Sequence, residues 1–305
     1  MIKLIEIPCQ VCNGKNIKII KKSKKSYNEI SEFDLDDIYK ASSSSFDYDQ
    51  IVKCNTCSFV FINPRLPKNL IEKFYSQGED INFSSQNTER IKTFEKSILK
   101  LQKKIGINFQ SLNCLDVGSA SGAFLKACNN LKINCKGIEP NIEMVAFAKK
   151  EYQVDIKQGF LNSSSFDEKF DIIFFWDVLE HVYDLPHTLE IISGYLKKGG
   201  YLIVNYPCYS SKIAKILGNK WPFWLSVHLS YFEKTTLNRL LLNHNLEYII
   251  EYSHIQSLKL NYIFQRICKI FPFFKFLNIL FQNNLIKKLS FSYYIGQKLH
   301  VSKKK

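Results

Sequence analysis

Between residues 113 and 253, apolar and polar positions recur in a fixed rhythm. A short apolar run meets a turn, and a segment with apolar residues three and four apart follows. NCLDVG is the first run and ends at a glycine turn. GAFLKACNNL then sets Phe124, Leu125, Cys128 and Leu131 on one helical face. INCKGIEP predicts a second strand, NIEMVAFAKKEY a second helix, VDIKQGF a third strand and FDIIFFWDV a fourth. LPHTLEIISGYLKKGG predicts a helix stopped at Gly199 and Gly200, and YLIVNYP a fifth strand. LEYIIEYSH and GQKLHVSK supply two more strands at the far end. Strands alternating with helices specify an α/β fold, a doubly wound parallel sheet with helices on both faces.

Outside this rhythm the chain changes character. Residues 1–90 are mixed and turn-rich, with KKSKK at 21–25 and SSSS at 42–45; 91–255 carry the alternating pattern; 256–305 hold a basic, apolar helical segment and a final strand. Nine cysteines, and an opening MIKLIEIPCQVC too interrupted for a secretory leader, predict a cytoplasmic protein. The net charge of +14 is concentrated in the tail, where ten Lys and Arg follow Glu251 without one acidic residue. The remaining body is nearly balanced, so nucleic acid is not an expected partner. Charges recur too often in 261–289 for a membrane span. Ile263, Ile267, Ile270 and Phe271 share a face with Arg266 and Lys269 off it, and Pro272 separates two helices. Two readings stay open: peripheral membrane contact through 258–289, or a helical pair packed on the sheet or across a dimer.

LDVGSASGAF, at 115–124, is shaped to press a loop against a ligand, but Ala120 and Ala123 stand where a dinucleotide fingerprint needs glycine. No G-K-[ST] follows, so a phosphate loop is excluded as well. Glu139 lies 21 residues after Gly118, at the end of the second strand, where a carboxylate accepts both hydroxyls of an unphosphorylated ribose. Asp116 either organises the turn or receives the amino-acid end of a ligand.

LDVGSASG followed by GIEP, with FDIIFFWDVLEHV, LKKGGYLIV and HLSYFEKTTLNRLL, resembles the class I S-adenosylmethionine-dependent methyltransferases over most of 110–250. The resemblance implies a Rossmann-like sheet and S-adenosylmethionine as cofactor. It places Gly118, Ser119, Ala120 and Gly122 along the methionine, Glu139 on the ribose, and Pro140 and Asn141 beside the adenosine. Gly159 and Phe160 would flank the adenine, and Trp176, Asp177 and Val178 would close the pocket near the sulfonium. The family usually has glycine where this chain has Ala120.

Methyl transfer needs in-line alignment and a group that takes the acceptor's proton. His181, in WDVLEHV, follows the fourth strand; His228, in SVHLSYFEKTTL, lies in an aromatic loop. Similarity to sugar and small-molecule methyltransferases with an H-x-x-Y-F element implies His228 as base and Tyr231 as helper. Structural packing of His228, or capping by His181, is the alternative. His187, His244, His254 and His300 read as surface or core.

CQVC at 9–12 and CNTC at 54–57 are two C-x-x-C knuckles 41 residues apart. Cys9, Cys12, Cys54 and Cys57 suit tetrahedral structural zinc; a redox pair or unligated thiols are the alternatives. With VFINPRLP after them, they resemble the amino-terminal module of many bacterial methyltransferases acting on sugars or secondary metabolites. The expected function is methyl transfer, chiefly to oxygen, on a sugar, nucleotide sugar, glycan precursor or other small polyhydroxylated acceptor. An RNA methyltransferase and a catalytically idle scaffold at a membrane are the rivals. WDVLEH in place of an N-P-P-Y-like turn argues against the first. Arg65 either meets an anionic substrate group or lies exposed in a linker.

Overall fold

From the amino terminus run β1 (Ile17–Lys21), β2 (Ile51–Cys54), β3 (Val60–Ile62), α1 (Lys68–Gln77) and α2 (Asn87–Ile105). The alternating region follows as β4 (Asn113–Val117), α3 (Ala123–Asn130), β5 (Asn134–Glu139), α4 (Ile142–Tyr152), β6 (Ile156–Gln158), β7 (Phe170–Trp176), α5 (Leu185–Tyr195) and β8 (Leu196–Pro207). Then come α6 (Lys212–Leu217), β9 (Ser230–Tyr231), α7 (Lys234–Leu242), β10 (Leu246–Ser253), β11 (Gln256–Lys259), α8 (Leu260–Ile270), β12 (Ser290–Tyr293) and β13 (Gln297–Lys304). This computed structural model describes residues 2–27, 30, 35, 38, 39, 47–77, 86–270, 273, 276 and 289–305, with the backbone alone at 266, 269 and 270. The serine run at 42–45, Phe271 and Pro272 lie outside the described residues, as do the side chains of Arg266, Lys269 and Ile270.

The main sheet has the order β10-β13-β8-β7-β4-β5-β6. Its five strands from β4 to β8 pair in parallel, and β13 runs antiparallel to β8 and β10. The doubly wound α/β expectation is met, and both far-end strands form. Central β7, FDIIFFW, is apolar almost throughout because both of its faces are covered. Leu115, Ile173 and Phe175 enter the core on one face, while Cys114, Ile172, Phe174 and Trp176 enter the core on the other.

One boundary differs from the sequence reading. The helix after β7 stops at Tyr195, four residues before the glycine pair, and LKKGG already belongs to β8. Leu196 is completely buried and pairs with Phe170, which pulls the chain into the sheet early. Gly199, at φ +76°, takes the bend, and a side chain at Gly200 would meet the Asp171 and Lys197 carbonyls at 2.9 Å. The glycines therefore serve strand entry rather than a helix stop.

A second sheet, β1-β2-β3-β9, ties the amino-terminal region to the rest of the molecule. Its last strand comes from residues 230–231, and Val60 pairs with Tyr231. Cys9, Val52, Phe59 and Phe61 share one core with Leu179, Tyr206 and Phe232. The boundary expected at 90/91 falls inside α2. Arg65, expected at a substrate or in solvent, is buried: it donates through Nη2 to the Tyr183 carbonyl at 2.6 Å and stacks on that ring at 3.8 Å. Its planar cation bonds a backbone oxygen while covering an aromatic face.

Candidate active site

The bend after β4 is built from left-handed backbone. Gly118 and Gly122 have φ of +73° and +77°. A Cβ on Gly118 would lie 2.6 Å from Val178, and one on Gly122 would lie 2.7 Å from Ala148. These glycines are thus required by the protein's own packing; the sequence reading had assigned that demand to a ligand. Ala120, at φ +45°, takes the same region with a side chain, at a cost of roughly 1 kcal/mol. Its N–H donates to Glu139 Oε2 at 2.8 Å.

Glu139 ends β5 and is 1% exposed, and its Oε1 accepts from the Asn141 N–H at 2.9 Å. Burial, opposed by these two N–H groups, pushes its carboxyl up to about 7. Each oxygen spends one lone pair on backbone and keeps one for a ligand hydroxyl. Asn141 caps α4 by accepting from the Met144 N–H, and Pro140 between them is buried. Asp116 is buried and its Oδ1 has no hydrogen-bond partner among the described residues. It shares a recess with Gly118, Ser119, Ala120 and Arg90, and Ser119 Oγ donates to its carbonyl. Gly159 N–H donates to the Glu139 carbonyl, while Phe160 is largely exposed; neither lines the cavity described next.

A cavity of about 470 Å³ opens from this bend across the carboxyl ends of β4, β5 and β7. Gly118, Ala120, Glu139, Asn141, Trp176, Asp177 and Val178 all reach its wall, so most of the expected cofactor residues are brought together. Asp177 has φ +55°, and its Oδ1 accepts from Asn205 and Gln297 at 2.7 and 2.6 Å. Burial raises its carboxyl to about 6, with Arg90 opposing.

His181 and His228, 47 residues apart in sequence, meet at the cavity with their rings edge to face at 4.8 Å. His181 ends a 3-10 turn, Leu179–His181, and its Nδ1 bonds the Val227 carbonyl at 2.9 Å. His228 Nδ1 bonds the Phe223 carbonyl at 2.9 Å. Burial lowers His181 to about 4 and His228 well below its usual value, so both rings are neutral near pH 7. Glu180 joins them, 1% exposed, with neither oxygen hydrogen-bonded among the described residues. Tyr231 does not reach this wall; its buried hydroxyl donates to the Leu225 carbonyl at 2.9 Å.

Of the rest of the wall, the sequence points only to the broad stretches 1–90 and 205–235 as shaping acceptor choice, without naming site residues in them. Tyr75 and Arg90 come from the helices preceding β4, and Tyr262, Ile263 and Ile267 from α8. His254, assigned to surface or core, lines the cavity beside Trp176 and is lowered to about 4 by burial. Its only sequence signal was its place at the end of a strand. The described part of the tail packs over the cavity, and no helix among the described residues is long and apolar enough to cross a membrane.

Elsewhere, the two knuckles converge. The Sγ atoms of Cys9, Cys12, Cys54 and Cys57 lie within 4.8 Å of one another, with Cys9–Cys57 at 3.4 Å and Cys12–Cys54 at 3.6 Å. These separations exceed a disulfide bond and approach the tetrahedron edge of about 3.8 Å that four Zn–S bonds of about 2.3 Å define. β1 pairs antiparallel with β2, Ile17 opposite Cys54, which brings the two knuckles together.

Comparison with known proteins follows this geometry. An O-methyltransferase of ubiquinone biosynthesis from Bradyrhizobium sp. (strain ORS 278) is 28% identical over 114 residues, which are 34% of this chain and 45% of that protein. The chain thus spans under half the length of the curated relatives it matches. Among solved structures, a SAM-dependent methyltransferase from Archaeoglobus fulgidus is 17% identical, with a TM-score of 0.47, covering 74% of this chain and all of that one. Magnesium protoporphyrin IX methyltransferase from Synechocystis, with bound SAH, is 12% identical with a TM-score of 0.47, covering 74% of this chain and 89% of that one. Residues 87–251, more than half of the chain, match the family model described as a methyltransferase domain, and the chain belongs to that family.

Proposed function

We propose that this chain transfers a methyl group from S-adenosylmethionine to a hydroxyl of a small molecule held in the cavity. One observation carries the reading. A buried carboxylate, Glu139, is fixed by two backbone N–H groups beside a left-handed bend, and both open on one cavity with Asp177 and His228. Bound there, the cofactor supplies a sulfonium methyl; the new O–C bond forms as the C–S bond breaks, its electron pair stays on sulfur, and the hydroxyl proton is lost.

The chain's own groups divide the remaining work. Glu139 accepts the two ribose hydroxyls on its free lone pairs, with Pro140 and Asn141 beside the adenosine. The unpartnered Asp116 Oδ1 takes the cationic amino group at the recess lined by Gly118, Ser119 and Ala120, in the bend that Gly122 closes. Trp176, Asp177 and Val178 orient the methyl toward the acceptor half, and Gly159 with Phe160 flanks the adenine on the open side. The acceptor's proton leaves at the cluster of His228, His181 and Glu180. Tyr231 is better read as a support for the loop, because its hydroxyl is already engaged. The four cysteines hold one structural zinc that fixes the knuckles against the shared core.

The acceptor wall carries Phe223, Leu225, Leu258, Ile263 and Ile267 around the Glu180, His181 and His228 cluster. This favours a hydroxylated molecule with an apolar or aromatic body over the polyhydroxylated sugar expected from sequence, and the oxygen acceptor of the named relatives agrees with it. Calorimetry with S-adenosylhomocysteine tests the reading. Saturable binding of one molecule per chain, weakened in Glu139→Gln, is expected; no heat from well-folded protein would end it. A panel of phenols and sugar hydroxyls then separates the acceptor classes.

A peripheral membrane role is favoured by one observation: Phe273, Phe276 and Phe291 are exposed, and Phe291 lines the cavity together with Ile263 and Ile267 of α8. Co-sedimentation with anionic vesicles at low salt is expected, and its absence removes this reading.

A further inference from the structure

We propose that Glu180, His181 and His228 bind one divalent first-row transition cation at the acceptor end of the cavity. The proposal rests on the methyl-transfer reading and gives the proton-removing cluster its chemistry. One donor atom from each residue lies within 4.8 Å of the others. Metal–donor bonds of about 2.1 Å bring donors to roughly 3–4 Å, so closure needs side-chain shifts of about an ångström.

Three features distinguish the cluster from ordinary core packing. Each imidazole has its Nδ1 held by a backbone carbonyl, Val227 for His181 and Phe223 for His228. That bond fixes the tautomer and leaves Nε2 with its lone pair, the usual arrangement for a metal-ligating histidine. Next, Glu180 is 1% exposed with both oxygens unpartnered among the described residues, a costly burial that a cation would relieve. Finally, all three residues line the cavity wall, so positions opposite the protein ligands face the acceptor.

Two neutral imidazoles and one carboxylate suit Mn²⁺, Fe²⁺, Co²⁺ or Zn²⁺ better than Mg²⁺ or Ca²⁺, which prefer all-oxygen shells. The bound cation polarises an acceptor hydroxyl and lowers its pKa, and the released proton passes to water. The oxygen lone pair then forms the bond to the methyl carbon while the C–S pair returns to sulfur. His228 is therefore a ligand, in place of the lone base suggested by the sequence.

The test titrates Mn²⁺ into the full chain with S-adenosylhomocysteine present and reads free Mn²⁺ by electron paramagnetic resonance. Thiolates compete poorly for this ion, so the cysteine cluster does not mask the result. One Mn²⁺ per chain is expected, with affinity at least about tenfold weaker in Glu180→Gln and in His228→Asn. In the unaltered chain, bound Mn²⁺ should also broaden the ring resonances of His181 and His228, which keeps the test open if a variant misfolds. S-adenosylhomocysteine binding without Mn²⁺ binding overturns the cation site and leaves the methyl-transfer reading standing. Equal Mn²⁺ affinity in folded Glu180→Gln, or binding that spares the two rings, overturns it too. No S-adenosylhomocysteine binding at all overturns the methyl-transfer reading, and with it the cation's role.

Discussion

The four thiols near the amino terminus and the Glu180–His181–His228 cluster both gather potential metal ligands within 4.8 Å, yet they are assembled differently. In the first, each C-x-x-C turn supplies two sulfurs through local backbone, and the pairing of β1 with β2 brings the turns together. In the second, two neighbours on a 3-10 turn meet a histidine from a loop 47 residues later. The thiols sit against a packed core; the histidines and glutamate face an open cavity. Closed coordination on a core suits structure, and an open face suits chemistry. The contrast makes different losses follow from equally small substitutions.

The largest effect is expected from Cys54→Ser. Losing one thiolate should release the proposed zinc and unfold the β1-β2-β3-β9 sheet, at a cost on the order of several kcal/mol. A zinc assay with thermal melts checks this. Zinc near one per chain in the parent and near zero in the variant, with a much lower melting temperature, is the expected pair of results. His228→Ala should instead lower the melt by less, through one lost buried hydrogen bond and its packing, and lower turnover by about 10²-fold or more. Calorimetry should show cofactor-product affinity nearly unchanged, and a fall in that affinity equal to the fall in rate would contradict the separation of acceptor and cofactor halves.

Glu139 sharpens the comparison inside the cavity. Its carboxyl sits at about 7, above its unfolded range, so the free protein is increasingly protonated below neutral pH. If the charged form accepts the ribose hydroxyls as proposed, S-adenosylhomocysteine affinity should fall up to about tenfold per pH unit below 7. Tyr75 and Asp116 face the same carboxylate, and Glu139→Gln isolates its share. The variant should bind weakly and lose most of the slope; an unchanged slope would assign the titration to a neighbour.

Tyr231→Phe is a smaller test, removing one buried hydrogen bond to Leu225. Stability should drop by about 1 kcal/mol in urea denaturation while turnover stays within about twofold. A hundredfold loss of rate would return Tyr231 to the chemistry. The smallest effect belongs to Ala120→Gly, which relieves left-handed strain but adds unfolded-state entropy. A net change within about 0.5 kcal/mol is expected from the denaturation midpoint.

Much of the sheet was legible because its strands are buried on both faces and read as apolar runs, FDIIFFW most clearly. The glycine bend and Glu139 were legible because spacing along one β-α-β unit fixes where they fall. The knuckles were legible for the same reason, since each pair of thiols lies within a single turn. The stop at Gly199 and Gly200 was misread, because burial of Leu196 in the core outweighs a local signal. Arg65 was misread too, since nothing nearby in sequence announces that Tyr183 will cover it.

What the sequence determined by itself is whatever depends on neighbours along the chain: strand and helix order, the left-handed bend, the carboxylate after the second strand and the paired thiols. The tertiary structure alone decided which side chains meet across the cavity. Arg90, His254 and α8 reach it from separate segments, and Glu180 and His181 acquire His228 only when the loop folds onto the 3-10 turn. The reason is physical: hydrogen-bonded turns and periodic faces are short-range and leave a local pattern. A cavity wall is a sum of long-range packing choices, and these leave none.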